Sequence, residues 1–327
     1  MGPTGSVPNV PLATGTTGNV KAQRYFGGGV IRNFKKEWPL HVLILPALIV
    51  TLIFSYGPMY GLIMAFRNFN PVRGIMGSDW VGLDNFRWLF AQEAFRRTIP
   101  NTLIISMGKI IFGTLASVIF SLLLNEVRLT SFKRVSQTIV YIPNFISWVI
   151  MAGVLQTILA SDGIINVMIN SLGLSGVPFL TDPGTFRWTM IWTDVWKTFG
   201  FGTVVYLATI TSMDPGMYES AAIDGAGRFT QVMKITLPLM GPIIVLMVTL
   251  ALGNVLNAGF DQIYNLYSPI VYSTGDIIDT YLFRISFTGM PQFSVGAAVG
   301  LMRSVVAAFL ISVSLWVAYK VARYRVF

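Results

Sequence analysis

The chain has 327 residues, of which 54% are hydrophobic and only 11% charged, with a mean hydropathy of +0.65 and a formal net charge of +9. A charged fraction this far below the roughly 25% of an average soluble domain excludes an ordinary soluble protein and points to a polytopic helical membrane protein. No cysteine is present and His41 is the single histidine, which excludes disulfides, thiolate metal centres and multi-histidine metal sites, and the scattered positive charges form no groove for nucleic acid.

Residues 1–20 are rich in Gly, Pro, Thr and Ser, carry no charged side chain and lack the apolar core of a signal peptide. They read as a disordered cytosolic arm, continued by Lys21, Arg24, Arg32, Lys35 and Lys36, with Gly27–Gly29 as a flexible hinge. The arm therefore takes residues 1–36, and one membrane domain takes 37–327. Six stretches, at about 39–66, 98–125, 137–160, 188–212, 237–260 and 293–319, are long enough for a hydrocarbon core of about 30 Å. The expected fold is thus all-α, with six transmembrane helices and both termini on one face.

Lysine and arginine set the orientation. The arm, Arg128, Lys133, Arg134, Arg228, Lys234, Lys320, Arg323 and Arg325 place 13 cations on the side of the termini. Arg67, Arg73, Arg87, Arg96, Arg97, Arg187 and Arg284 place 7 on the other. The termini and the segment between spans four and five are therefore predicted to be cytoplasmic. The first outer segment carries Trp80, Phe86, Trp88 and Phe90, suited either to an ordered interfacial cap or to a simple packed loop. The second, about 161–187, predicts a short helix and a turn, and the third, about 261–292, holds Tyr264, Tyr267, Tyr272, Tyr281 and Phe283.

Between two apolar spans lies a polar, helix-forming stretch, Glu219–Pro238. Glu219, Ala221 and Ala222 favour helix, Gly225 and Gly227 permit a turn, and Phe229, Val232, Met233 and Ile235 recur at helical spacing before Pro238 ends or re-aims the run. Such a helix, turn and helix can dock into a soluble partner, or lie on the lipid surface as an amphipathic connector. Gly57 and Gly61, and Gly296 and Gly300, each form G-x-x-x-G, a signal of close helix approach.

Within the spans, ionisable residues are costly and usually face a cavity or a partner. Lys109, Asp194, Lys197 and Arg303 are the four predicted pathway charges. Asp194 and Lys197, three residues apart, can pair on one helix face, whereas Lys109 and Arg303 have no partner within their own spans. Asn254, Asn257 and Asp261 form a polar stripe at the end of the fifth span, fit either for sugar hydroxyls or for helix–helix hydrogen bonds. Three cations facing one cavity against Asp194 would favour an acidic cargo, such as a uronic-acid fragment. No Walker A motif, catalytic triad or metal-ligand set occurs, so catalysis by this chain is not expected.

The spacing Glu219-Ser220-Ala221, three residues, Gly225, nine residues, Ile235-Thr236-Leu237-Pro238 resembles the cytoplasmic loop signature of permease subunits in bacterial ATP-driven importers, with Ser220 where that family usually has Ala. Trp38-Pro39-Leu40, Gly57-Pro58-Met59-Tyr60-Gly61, Ala65-Phe66, Asn70-Pro71 and the run Gly77–Phe86 are similar to the branch that imports complex oligosaccharides and polysaccharide fragments. The resemblance implies that Glu219, Ser220, Ala221, Ala222, Asp224, Gly225, Ala226, Phe229, Ile235, Leu237 and Pro238 couple transport to an ATPase. It also implies a second permease subunit, two ABC ATPase subunits that bind the ATP and Mg, and an extracytoplasmic solute-binding protein, around a chain in the bacterial inner membrane that holds no cofactor itself. From the residues alone, an ion-gradient transporter and a non-transporting membrane scaffold remain alternatives.

Overall fold

The computed structural model describes residues 38–322 and divides the chain into two compact units, Met1–Met59 and Tyr60–Phe327. The arm with its basic residues and Gly27–Gly29, and Arg323 and Arg325 at the other end, lie outside the described residues.

In the first unit, helix α1 (Trp38–Thr51) runs into a π-helical stretch, Leu52–Tyr56. Leucine, isoleucine and valine occupy its whole circumference and none of its residues is buried. A helix that is apolar all round suits lipid or another chain.

The second unit opens with a small cap. Strands β1 (Arg67–Asn68) and β2 (Asp79–Trp80) pair antiparallel, Phe66 stacks on Trp80 at 5.7 Å, and Asn85 Nδ2 donates to the carbonyls of Ala65 and Arg67. Helix α2 (Asp84–Ala91) completes the cap.

The bundle is organised on two long helices, α3 (Glu93–Glu126) and α7 (Pro183–Thr211). A side chain at Gly108 would strike Ile191 and one at Gly202 would strike Ser117, so these glycines let the helices approach along parallel courses. The chain returns between them through α4 (Thr130–Phe145) and α5 (Trp148–Ile158), then α6 (Ile164–Ser171) in the second outer segment. Gly200 sits against the Val140 carbonyl and seats α4 on α7.

After α8 (Pro215–Ile223) comes one long helix, α9 (Arg228–Gly253), then α10 (Phe260–Leu266), α11 (Ile278–Phe287) and α12 (Phe293–Ala322). Gly253 meets Ile311, and Ser314 Oγ donates to the Thr249 carbonyl at 3.2 Å, so α9 and α12 run antiparallel.

Trp38–Phe66, Glu93–Glu126, Arg228–Gly253 and Phe293–Ser314 are long and apolar enough to cross a membrane, and α4 with α5 makes a fifth candidate if the bent pair is one span. The straight span expected at 137–160 is instead broken by 104°. Pro143 lies in the last turn of α4, Ile146 is extended, and the Ser147 hydroxyl accepts from the Ile150 amide to begin α5 afresh. Helix α7, 29 residues long, has the length for the fourth span, but its most apolar stretch is more polar than those of the four long helices. The fifth helix stops at Gly253, seven residues before the predicted end.

Pro238 does not end its helix. Val232–Thr236 forms a π-helical turn in which the Leu237 amide bonds the Val232 carbonyl five residues back, and the widened turn carries the chain past the proline. Of the G-x-x-x-G glycines, only Gly296 has a close helix neighbour, Ser286, while a Cβ at Gly300 would meet nothing within 4 Å and those at Gly57 and Gly61 only atoms a few residues away.

Candidate functional site

The predicted coupling residues fold into a braced elbow. Asp214 caps α8 by accepting from the Gly216 amide at 2.9 Å, with Pro215 in the first turn. At the other end the Ala226 amide reaches the Ala221 carbonyl at 2.9 Å and the Gly225 amide reaches that of Ala222 at 3.1 Å. Gly225 itself is left-handed at φ 79°, which completes a Schellman motif. The turn therefore rests on Gly225, while Gly227 has ordinary extended geometry as the cap of α9.

Side chains fix the angle of the elbow. Tyr218 shares a 3.0 Å hydrogen bond with the Thr236 hydroxyl, Gln231 Nε2 donates to the Ala226 carbonyl at 3.0 Å, and Arg228 pairs with Glu126 at the end of α3 at 2.9 Å. Ser220 returns its hydroxyl to the Gly216 carbonyl at 2.8 Å. Leu237 packs on the cluster of Val118, Tyr206, Ile210 and Met240, and Ile235 is half-buried. Glu219, Ala222, Asp224 and Pro238 are exposed, and so are the apolar Ile223 at 88% and Phe229 at 79%. A rigid turn that holds large apolar side chains in the open is shaped to be covered by another protein.

The second feature is a cavity of about 620 Å³ lined by Trp148, Asn257, Asp261, Asp279, Phe283 and Arg303, with Gly259 and Phe260 in its wall. Of the predicted pathway residues it gathers Asn257, Asp261 and Arg303. The stripe expected of Asn254, Asn257 and Asp261 is not a helical face, because 254–259 is irregular, Gly259 is left-handed at φ 89°, and Asp261 belongs to the next helix. Asn254 sits exposed at the end of α9, away from the lining.

The charge pairing also differs from expectation. Asp194 does not pair with Lys197; it meets Lys109 at 3.3 Å across the α3–α7 contact. Lys109 further donates to the Ala258 carbonyl at 2.8 Å and to Gln262, whose amide binds the Met190 carbonyl at 2.9 Å and the Thr193 hydroxyl at 2.8 Å. Lys197, about 60° round the helix from Asp194, points to the broken end of α4. There it donates to the Asn144 carbonyl at 3.0 Å, one of the last-turn carbonyls without a helical partner, and lies over the Trp148 ring. Arg303 pairs with Asp279. The three cations therefore do not stand against Asp194 alone: two have their own carboxylates, and Lys109 lies behind Gly259 rather than in the lining.

No local pattern in the sequence marks Gln262 or Asp279, or a buried latch near the outer segments. There Arg187 donates to Asn101 Oδ1 at 2.5 Å and the Thr274 carbonyl at 3.1 Å, and Arg284 grips Asp276 through both oxygens at 3.1 and 2.5 Å beneath Tyr272. Burial, with Tyr272 beside it, raises the Tyr267 phenol well above its usual range, so it remains a neutral hydroxyl. The only local signal for the latch was the number of ionisable residues in segments otherwise read as outer loops.

Residues 109–326 match the family described as the binding-protein-dependent transport system inner membrane component. The chain belongs to that family. It is a membrane transport subunit, not an enzyme. Among its relatives, Protein LplB of Bacillus subtilis (strain 168) is 38% identical over 287 residues, covering 88% of this chain and 90% of the relative. The polygalacturonan/rhamnogalacturonan transport system permease protein YteP of the same organism is 38% identical, covering 83% and 85%. The permease fold is also shared with a chain in the crystal structure of a bacterial ABC transporter involved in the import of the acidic polysaccharide alginate, at 39% identity and a TM-score of 0.81, covering 88% of this chain and 98% of that one. A chain in the alginate transporter in complex with alginate pentasaccharide-bound periplasmic protein gives 38% identity and a TM-score of 0.83, covering 91% and 99%.

Proposed function

We propose that this permease forms one half of the membrane pathway of an ATP-driven importer for saccharide fragments, acidic ones of the alginate kind in particular, in the bacterial inner membrane. It pairs with a second permease, receives cargo from an extracytoplasmic binding protein, and takes its power from two cytosolic ATPase subunits that hold the ATP and Mg. Its six spans comprise the four long apolar helices, the bent pair α4–α5, and α7. Both termini and the Glu219–Pro238 elbow face the cytoplasm.

The observation that carries this reading is the elbow: a turn braced by a cap, a Schellman motif and Tyr218–Thr236, presenting Ile223 and Phe229, and continuous with α9, whose far end leads to the cavity. ATP binding closes the ATPase pair, and the motion is delivered to α9 without being absorbed in a soft joint. The irregular stretch 254–259, tied to α3 and α10 through Lys109, is where that motion reaches the pathway wall. The transport cycle is then a two-state change of the bundle, biased by nucleotide at a distant subunit. The cargo assignment draws on the aromatic and polar lining and on the cargo named for the alginate transporters and for YteP.

The test is reconstitution of the assembled complex in proteoliposomes. Uptake of uronic-acid oligosaccharides is expected to require binding protein and ATP, with ATPase and a second permease co-purifying. Uptake driven by an ion gradient without nucleotide, or an elbow accessible only from the outer face, would refute the proposal.

A further inference from the structure

Among the described residues of the second unit, Arg284 and Arg303 are the partly buried arginines that pair with aspartates, and they do so differently. Arg284 closes on Asp276 with both prongs and is covered by Tyr272. Arg303 touches Asp279 through a single Nη1–Oδ1 bond, and both residues line the 620 Å³ cavity. Asp279 is 10% exposed and Arg303 30%. A guanidinium has five N–H donors arranged to take a carboxylate bidentately. Arg303 spends one of them within the protein, and four remain available at the edge of a cavity.

The register of the helices fixes this arrangement. Gly296 and Ser286 meet where α11 and α12 approach. Seven residues back from Ser286 is Asp279, and seven residues on from Gly296 is Arg303. In an antiparallel hairpin both displacements are two turns in the same direction, so the pair stands at one level. Around it are Phe283 and Phe287 from α11, Phe260 from α10 and Trp148 from α5. Aromatic side chains beside a guanidinium with one of its five donors engaged suit a sugar ring that bears a carboxylate.

We propose that Arg303 reads a carboxylate of the cargo, with Asp279 as the internal carboxylate that holds the guanidinium in place and gives way to the cargo's own. This inference rests on the saccharide reading above and goes further, assigning discrimination between acidic and neutral sugars to one residue of this chain. Paired with Asp279, the guanidinium is neutralised within the chain, so the cavity wall does not present a naked cation. An acidic sugar offers a second oxygen for a bidentate grip, and a neutral sugar does not.

The experiment uses the assembled transporter in lipid nanodiscs without binding protein, so that delivery does not filter the sugars. Saturation-transfer NMR measures binding of a uronic-acid oligosaccharide and of its carboxyl-reduced counterpart of equal length. Arg303→Gln is expected to weaken the acidic sugar about 10- to 100-fold and leave the reduced sugar within about twofold. Asp279→Asn removes the competitor and is expected to tighten the acidic sugar relative to the reduced one. Equal loss for both sugars, or no loss, in an Arg303→Gln complex whose ATPase is still stimulated by binding protein would overturn the proposal. If Arg303→Gln fails to assemble, Asp279→Asn decides: no change in the acid-to-reduced ratio overturns it. A wild-type complex that neither binds nor transports either sugar would instead strike at the saccharide reading itself.

Discussion

Gly225 offers the sharpest test of the elbow as a rigid transmitter. Its φ of 79° lies in the left-handed region, and a Cβ built there would meet nothing within 4 Å. Substitutions therefore report on backbone conformation alone, free of steric clash. Asparagine tolerates this region and should behave almost as wild type. Alanine pays about 1–2 kcal/mol, a factor of roughly 5–30 in the population of the native turn. Proline cannot reach a positive φ and also removes the 3.1 Å bond from the Gly225 amide to the Ala222 carbonyl, a cost of about 3 kcal/mol or more. The assay is the number of saccharides imported per ATP hydrolysed in proteoliposomes, with complex assembly followed by size-exclusion chromatography. Coupling should fall in the order Gly, Asn, Ala, Pro while the complex remains assembled. A proline variant with the wild-type ratio, or an asparagine variant as damaged as proline, would refute the argument from turn geometry.

Lys109→Met strands Asp194 in the α3–α7 interface and should destabilise the complex by about 3 kcal/mol, read as a lower thermal midpoint; adding Asp194→Asn should recover most of it, and an unchanged midpoint in the single variant would contradict the buried pair. Gly200→Ala drives a methyl group into the Val140 carbonyl and should cost about 2 kcal/mol through loss of α4–α7 packing, whereas Gly300→Ala, which meets nothing within 4 Å, should be neutral in the same melting assay. Phe229→Ser, at an exposed position with little role inside the fold, should leave the melting point alone and weaken ATPase capture in a pull-down by about tenfold or more. Tyr218→Phe removes the bond to Thr236 and should cost about 1 kcal/mol with a measurable drop in coupling.

What the amino-acid sequence determined by itself are the properties written in local pattern. Long apolar runs separated by polar turns require an all-α membrane protein, because hydrocarbon leaves the backbone no other way to satisfy its hydrogen bonds. The elbow was legible for the same reason: a Schellman turn is built from contiguous residues, and glycine at its left-handed position is visible in the text of the chain. The span at 137–160 misled because apolar length alone does not tell a straight crossing from one broken at Pro143 and restarted at Ser147.

Charge pairing was the province of tertiary structure. Lys109 meets Asp194 across 85 positions, Arg303 meets Asp279 across 24, and Lys197 leaves its near neighbour for a carbonyl freed by a helix end. Each choice depends on which helix faces are brought together, and here glycines at 108, 202 and 296 set that by admitting a neighbour where any side chain would keep it out. A residue's own segment fixes that it is charged; only the packed bundle decides whether the charge is cancelled, buried or left with donors free at a cavity wall.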